Sequence, residues 1–215
     1  MKKIIILVFI IIILASVLGL KIFLSNTENE SYEYSKEDIL RLINNQSTKY
    51  SYTCKCYEFG ASIVSKYKDD IFISHKTYDD GTFEITYNNY NIFEDIIISS
   101  KSNNAIIHDS QVPSEPLLYA SYIYSILIDD DTTYKYLRND TYNGHDCIVT
   151  SWNSYNRNYE LWFDQITGFL VKQIKTDDSE TKIVEYLITT NDVTDEEVKR
   201  PDLTGYTIRD MKHNS

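Results

Sequence analysis

Residues 159–172 read YELWFDQITGFLVK, and this stretch decides the fold. Two mainly apolar runs are separated by residues 165–168, where polar residues and a glycine predict a tight turn. The segment therefore predicts a β-hairpin. Leu161 and Phe163 lie on one side of the first strand and Trp162 lies on the other, so only one of these two sets can face an interior. The alternation does not say which.

The same rhythm of short strands and turns continues on both sides of this hairpin. An Asn-Gly pair at 143–144 and Asp-Asp-Gly at 79–81 are strong hairpin signals. Turns that recur every few residues, with no helix between them, predict antiparallel pairing. The predicted strands cover residues 50–57, 61–67, 71–78, 82–87, 92–100, 105–108, 134–141, 146–153, 158–164, 169–176 and 182–190.

Two segments have helical patterns. Residues 36–46 form an apolar stripe at helical spacing, and Ser35 and Asp38 occupy the positions of a capping box. Residues 117–128 are apolar on nearly every face and are followed by three aspartates. Their length is short for a membrane crossing, so the pattern favours a soluble helix buried against a concave sheet.

The N-terminus carries a long apolar leader. Residues 4–24 are almost entirely apolar, which is long enough to span a bilayer, and Lys2 and Lys3 precede them. The positive-inside rule places the N-terminus in the cytoplasm and the following domain outside the cell membrane. We predict an uncleaved single-pass anchor over 1–24, a polar tether over 25–34, an extracytoplasmic domain over 35–210 and a tail over 211–215. The alternative is a cleaved signal, which would leave a secreted protein.

Composition excludes one class of partner. The formal net charge is −11. The leader contributes three lysines, so the rest of the chain is more acidic than this value. A strongly acidic domain with no stripe of basic residues repels phosphate backbones, so we expect no nucleic-acid binding. The membrane, through residues 4–24, is the predicted partner.

The sequence contains no recognisable catalytic or metal-binding motif. His145, Asp146 and Ser151 could be assembled into a hydrolytic site, but this constellation is typical of residues around an exposed turn, and a secreted hydrolase is only a distant alternative. Either Cys54 or Cys56 could pair with Cys147, or all three could be buried free thiols. We therefore predict no enzyme, no cofactor and no metal site.

A family resemblance emerges from the C-terminal third. Residues 144–149 (GHDCIV), followed by the hairpin at 159–172, resemble the LolA/RseB-like superfamily of periplasmic lipoprotein carriers and lipid sensors. The likeness continues through NDVTD at 191–195 and RPDLTGY at 200–206. The order of the elements also fits over residues 37–208: a helix, a meander, a central helix and a second meander.

This resemblance implies a fold and a function. The fold is a mainly β, curved antiparallel open half-barrel with helices packed in its concave face. Members bind acyl chains or lipidated peptides in that concavity and are not enzymes by virtue of the fold. We expect the central helix to plug the concavity. The candidate cavity residues are Phe83, Ile85, Tyr87, Ile97, Leu118, Tyr122, Ile126 and Trp162.

The chain also departs from the family. Its carriers are soluble shuttles, whereas this chain is predicted to be tethered, and residues 169–171 (FLV) stand where the family often has a proline after the glycine. A tethered domain cannot carry cargo far, so the sequence favours local capture or sensing of a lipid or lipopeptide. The alternative is a cell-envelope interaction or regulatory module, binding an envelope protein, whose cavity is filled.

Overall fold

We describe the protein from a computed structural model, which describes residues 33–44, 50–110, 118–154 and 157–212. The chain divides into two compact units, residues 1–33 and 34–215, and the fold described below belongs to the second. The predicted anchor at 1–24, most of the tether and the end of the tail lie outside the described residues. Within the described part of the chain, no helix combines the length and apolar character that a bilayer crossing requires.

The described residues are mainly β-strands. Helices α1 (Lys36–Asn44) and α2 (Ser121–Ile128) are the α-helical segments, and single 3-10 turns cover Leu118–Ala120 and Asp195–Val198. The strands are β1 (Tyr52–Glu58), β2 (Ala61–Lys68), β3 (Ile71–Tyr78), β4 (Phe83–Asn89), β5 (Glu94–Ser99), β6 (Asn104–Asp109), β7 (Thr133–Tyr142), β8 (His145–Ser154), β9 (Arg157–Asp164), β10 (Leu170–Thr176), β11 (Thr181–Glu185), β12 (Leu187–Thr190) and β13 (Thr207–Asp210).

The strands form two sheets. The chain passes from the smaller sheet to the larger one at the bend between β11 and β12. One sheet has the order β12-β1-β2-β3-β4-β5-β6-β13, and the other has the order β11-β10-β9-β8-β7. Strands β11 and β12 are separated only by Tyr186, whose backbone N–H still donates to the Val171 carbonyl at 2.9 Å. Neighbouring strands are antiparallel except β13, which runs parallel to β6. The predicted fold, a curved antiparallel half-barrel, is confirmed.

Both helices pack on the same face of this curved sheet, which we call the inner face. Ile39 and Ile43 of α1, and Ile123 and Leu127 of α2, are fully buried there. An apolar face of a sheet must be covered to remove it from water, and the helices provide that cover. Their strand partners in the same core are Tyr52, Cys54, Tyr67, Phe72, Ile148, Trp152, Tyr159, Leu161, Phe163, Val184 and Ile188.

The turn of the hairpin that decides the fold also seats α1. Asp164 closes the turn by accepting hydrogen bonds from the backbone N–H groups of Ile166 and Thr167. Gly168 follows with φ +74°, and a Cβ there would stand 2.6 Å from the carbonyl oxygen of Leu42 in α1. Only glycine has both the backbone freedom and the small size that this contact requires.

The N-terminus of α1 is capped as predicted. The Asp38 carboxylate accepts the backbone N–H of Ser35 at 3.0 Å, and the Ser35 hydroxyl accepts the backbone N–H of Asp38 at 3.1 Å. This reciprocal pair satisfies two donors that the helix leaves open.

The opposite, outer face of β3 to β6 carries a second core. The C-terminal segment covers it with Val193 and Val198, and Lys66 and Lys68 of β2 pair with Glu197 and Asp195 of that segment. The larger sheet therefore buries apolar residues on both faces, although on different strands. The sheet residues of this second core are Ile73, Tyr87, Ile96, Ile98, Ala105 and Ile107, with Phe83 and Ile85 packed against them.

The three cysteines are free thiols. Cys54 belongs to the inner core, whereas Cys147 lies in a separate cluster with Val149 and Trp162 on the outer face of the smaller sheet. Because the sheet separates the two thiols, the open alternative of a Cys147 disulfide is resolved in favour of buried free cysteines.

Candidate functional site

The inner face is left open at one end, beside α2. A cleft of about 670 Å³ lies there between α2, the β1–β2 hairpin and the ends of β9, β10 and β11, and we call it the α2 cleft. Cross-strand register explains how these strands converge: Gln173 pairs with both Leu161 and Val184, and Lys175 pairs with Tyr159 and Lys182. The cleft is lined by Tyr57, Glu58, Phe59, Gly60, Tyr122, Arg157, Tyr159, Gln173, Lys175, Lys182, Ile183 and Val184.

Helical spacing decides which side chains of α2 reach this region. Ile123 and Leu127 point into the core, whereas Tyr122 and Ile126, four residues apart, share the flank that faces the open end. Ile126 lines a second, acidic cleft of about 900 Å³, which shares Arg157 and Tyr159 with the first. The other residues of the acidic cleft are Ser125, Asp129, Ser154, Asp177, Asp178 and Ser179.

A polar network forms the floor of the α2 cleft. The hydroxyl oxygen of Tyr122 lies 2.7 Å from Oε1 of Glu58 and 2.7 Å from Oε1 of Gln173. The Tyr186 hydroxyl donates to the same Gln173 oxygen at 3.2 Å. Burial raises the pKa of Glu58, and the hydrogen bond from Tyr122 and the charges of Lys76 and Lys175 oppose that rise only in part.

The lip of the cleft is apolar and exposed. Phe59 is 68% exposed at the tip of the β1–β2 hairpin, and its ring meets that of Tyr122 at 6.3 Å between centroids. Its φ of +54° is a backbone conformation that bulky side chains rarely adopt. Tyr57 and Ile183 are also exposed at the mouth. Phe93 shares both the positive φ and the exposed ring, so it is the contact with Tyr122 that connects Phe59 with the cleft.

Three cations line the wall of the α2 cleft. Lys175 pairs with Asp177 at 3.4 Å, and Lys182 pairs with Glu180 at 2.6 Å. Arg157 is exposed and forms no ion pair with any residue that the structure describes. The two lysines are therefore neutralised by acidic partners, and Arg157 supplies the uncompensated positive charge of the wall.

The eight residues predicted to line a cavity are separated by the structure into different places. Tyr122 and Ile126 line the two clefts, and Leu118 packs against the inner core beside them. Ile97 lies on the inner face but away from the helices, between Thr86 and Ile106, and is 40% exposed.

The other four candidates lie on the outer face. Phe83, Ile85 and Tyr87 belong to the core beneath the C-terminal segment, so their expected position on the inner wall is corrected. Trp162 also points outward, into the cluster with Cys147, and it is Leu161 and Phe163 that face the helices. The physical reason is the same in both cases: alternation separates two faces, and both faces here are apolar.

Three residues of the α2 cleft were not predicted from the sequence patterns, namely Glu58, Phe59 and Gln173. A signal for Glu58 existed, since it continues the inner-facing series of Tyr52, Cys54 and Cys56 and is charged where those are not. A phenylalanine before the turn glycine, where asparagine is usual, could have pointed to Phe59. Gln173 had no comparable signal, because its role depends on its pairing with Leu161 and Val184.

The residues considered for hydrolysis have other partners. Nδ1 of His145 lies 2.7 Å from Asp164, not Asp146, and the Ser151 hydroxyl donates to Asn158 at 2.9 Å. Among the described residues, no group of three or more His, Cys, Asp or Glu side chains is placed to hold a metal ion.

Comparison with known proteins gives structural likeness only. No family model matches the chain, and no curated protein matches its sequence. Similar solved structures include PNGF-II (TM-score 0.41, 14% identity, 76% of this chain and 32% of that one) and MucB (0.43, 10%, 80% and 64%). Another is the LolA superfamily protein NE2245 from Nitrosomonas europaea (0.30, 11%, 78% and 98%).

Of these structures, NE2245 belongs to the LolA superfamily that residues 144–206 of this chain resemble. The chain spans about a third of the PNGF-II chain and less than two thirds of the MucB chain. Every one of the TM-scores is below 0.5, so the description of the fold rests on this chain's own strand order and register.

Proposed function

We propose that this protein is a membrane-anchored, extracytoplasmic and non-catalytic domain that binds a hydrophobic ligand, such as an acyl chain or lipopeptide, in the α2 cleft. The observation that carries the proposal is a cleft with an aromatic lip and a partly apolar lining at the open end of the half-barrel. Its volume of about 670 Å³ lies within the usual range for small-molecule sites, and a few polar groups converge on its floor.

Hydrophobic transfer supplies the driving force. Each methylene group of an acyl chain that moves from water into an apolar site contributes about 0.8 kcal/mol. The rings of Phe59, Tyr122 and Tyr159 and the side chain of Val184 offer such a site. The exposed ring of Phe59 would be covered by the ligand, which gives a reason for an aromatic side chain at a strained position of the turn.

The proposed location follows from the leader. An anchor over 4–24, with the N-terminus in the cytoplasm, would hold the domain at the outer surface of the cell membrane. Acyl chains are abundant there, and a tethered domain meets them without travelling. Local capture or sensing therefore fits better than long-range transport.

One observation favours a second candidate function. Beneath α1 and α2 the inner core is densely filled, since Ile39, Ile43, Ile123 and Leu127 have no exposed surface. A filled interior suits an envelope interaction or regulatory module that binds a protein partner through its surface. The two candidates differ in whether the α2 cleft takes up an apolar ligand.

A pair of matched variants separates these candidates. Phe59 and Phe93 are both exposed phenylalanines at positive φ, but only Phe59 lies at the cleft. We expect Phe59→Asn to weaken binding of a fluorescent fatty-acid probe by about thirtyfold, because about 2 kcal/mol of aromatic contact is lost. Phe93→Asn should leave binding unchanged. The measurement is a fluorescence titration of the detergent-extracted full chain.

Asparagine tolerates the left-handed backbone conformation, so both variants are expected to fold. Equal affinity of the wild-type protein and both variants would argue for the interaction module. Comparing the variants with each other removes the contribution of the probe dissolved in detergent.

A further inference from the structure

Glu58 is the group on the floor of the α2 cleft with spare hydrogen-bonding capacity. It ends the inner-facing series of β1 and is half-buried beside Tyr122. Within the described residues, its carboxylate has one hydrogen-bonding partner, Tyr122, and forms no ion pair. An ionised carboxylate has about four acceptor sites, so most of those of Glu58 remain open toward the cleft.

The number of available hydrogens shows that Tyr122, Gln173 and Tyr186 cannot supply Glu58 with further hydrogen bonds. The Tyr122 hydroxyl has one hydrogen but lies 2.7 Å from two acceptors, Glu58 and Gln173. If the Gln173 amide is turned over, its N–H groups donate to Tyr122 and Tyr186, and Tyr122 then donates to Glu58. In either arrangement Glu58 receives at most one hydrogen bond and can accept more from a molecule in the cleft.

Charge selects the kind of molecule. The Glu58 carboxylate repels an anionic head group at the floor, and Arg157, which has no ion-pair partner among the described residues, repels a cationic one at the wall. An uncharged head group that donates hydrogen bonds satisfies both conditions. Its apolar chain would lie against Tyr122, Tyr159 and Val184.

We propose that Glu58 determines specificity in the α2 cleft by accepting hydrogen bonds from the uncharged hydroxyl or amide head group of a single-chain amphiphile. This inference rests on the proposed function, since it assumes that an apolar chain enters the cleft. It adds the chemical class of the head group and the residue that recognises it.

The test uses amphiphiles of one chain length that differ only in the head group. They are a monoacylglycerol, a primary fatty amide, a fatty-acid methyl ester, a fatty acid and an alkylammonium, each displacing the fluorescent probe from the detergent-extracted full chain. We expect the monoacylglycerol or the amide to bind about tenfold tighter than the other three, because only these two are uncharged and donate to Glu58. If the monoacylglycerol binds more tightly than the amide, the preferred head group is a hydroxyl; if the amide binds more tightly, it is an amide.

The Glu58→Leu variant removes the acceptor and keeps a side chain of similar size. Tyr122 retains Gln173 as a partner, so the network does not lose its remaining hydrogen bond. We expect this variant to lose the tenfold preference for the monoacylglycerol or the amide over the methyl ester. Asp130→Asn, an exposed change outside the cleft, is the control and should keep the preference.

The outcomes separate this inference from the proposed function. If the wild type binds no amphiphile, the proposed function fails and the inference falls with it. If the wild type binds all five probes equally, binds the fatty acid or alkylammonium most tightly, or if Glu58→Leu keeps the preference, only the role of Glu58 is overturned.

Discussion

At the scale of single residues, alternation predicted which side chains share a face but not which face is inside. Leu161 and Phe163 were correctly separated from Trp162, and Phe83, Ile85 and Tyr87 were correctly grouped. Their side could not be predicted, because the sheet buries apolar residues on both faces. The C-terminal segment that covers the outer face is irregular and has no strong pattern of its own.

Gly168 gives a prediction at this scale. We expect Gly168→Ala to lower the free energy of unfolding by about 2–5 kcal/mol, since it combines left-handed strain with a clash against Leu42. Gly144→Ala is the control: φ is +84° there, but a Cβ would meet nothing within 4 Å. It should cost only about 1–2 kcal/mol. Equal losses in urea denaturation would show that the contact with α1 does not matter.

At the scale of elements, the capped helix α1 and the hairpins could be predicted because their signals are local. The bend between β11 and β12 could not be predicted from local signals. Val184, Tyr186 and Ile188 are all buried in the inner core, so the alternation passes through the bend without interruption. Nothing in this pattern shows that the chain leaves β10 and pairs with β1. That transfer joins the two sheets.

The hairpin turn at 165–168 provides a pH-dependent prediction. Burial raises the pKa of Asp164, but hydrogen bonds from Thr167, His145 and Ile166 outweigh it, so this pKa lies below its usual value. A carboxyl whose pKa is lower in the folded state stabilises the fold above the unfolded pKa of about 3.9. This stabilisation is lost as the pH falls through the folded pKa.

We therefore expect Asp164→Asn to cost about 1–3 kcal/mol at pH 7, where the carboxylate accepts its hydrogen bonds. The difference from the wild type should shrink below about pH 4, as the wild-type carboxyl becomes protonated. Urea denaturation of both proteins at pH 7 and pH 3 measures the two differences. A difference that does not change with pH would contradict the assigned role of the Asp164 charge.

At the scale of the whole molecule, the fold class could be predicted but the site could not. The rhythm of turns is a property of the chain as a sequence, and it suffices for antiparallel pairing, whereas the half-barrel was implied by the family resemblance. The α2 cleft instead combines β1, α2 and β9 to β11, which are far apart in sequence. From α2 it takes Tyr122, a placement that depends on packing rather than on any motif.

Photoaffinity labelling tests the central claim, that the α2 cleft holds an apolar chain, most directly. A fatty acid with a photoreactive group on its chain is crosslinked to the detergent-extracted full chain, and the labelled peptides are identified by mass spectrometry. We predict labels on residues 57–60, on Tyr122 and on residues 182–184, which are far apart in sequence but meet at the cleft. Labelling that leaves all of these residues unmodified would contradict the proposed binding site.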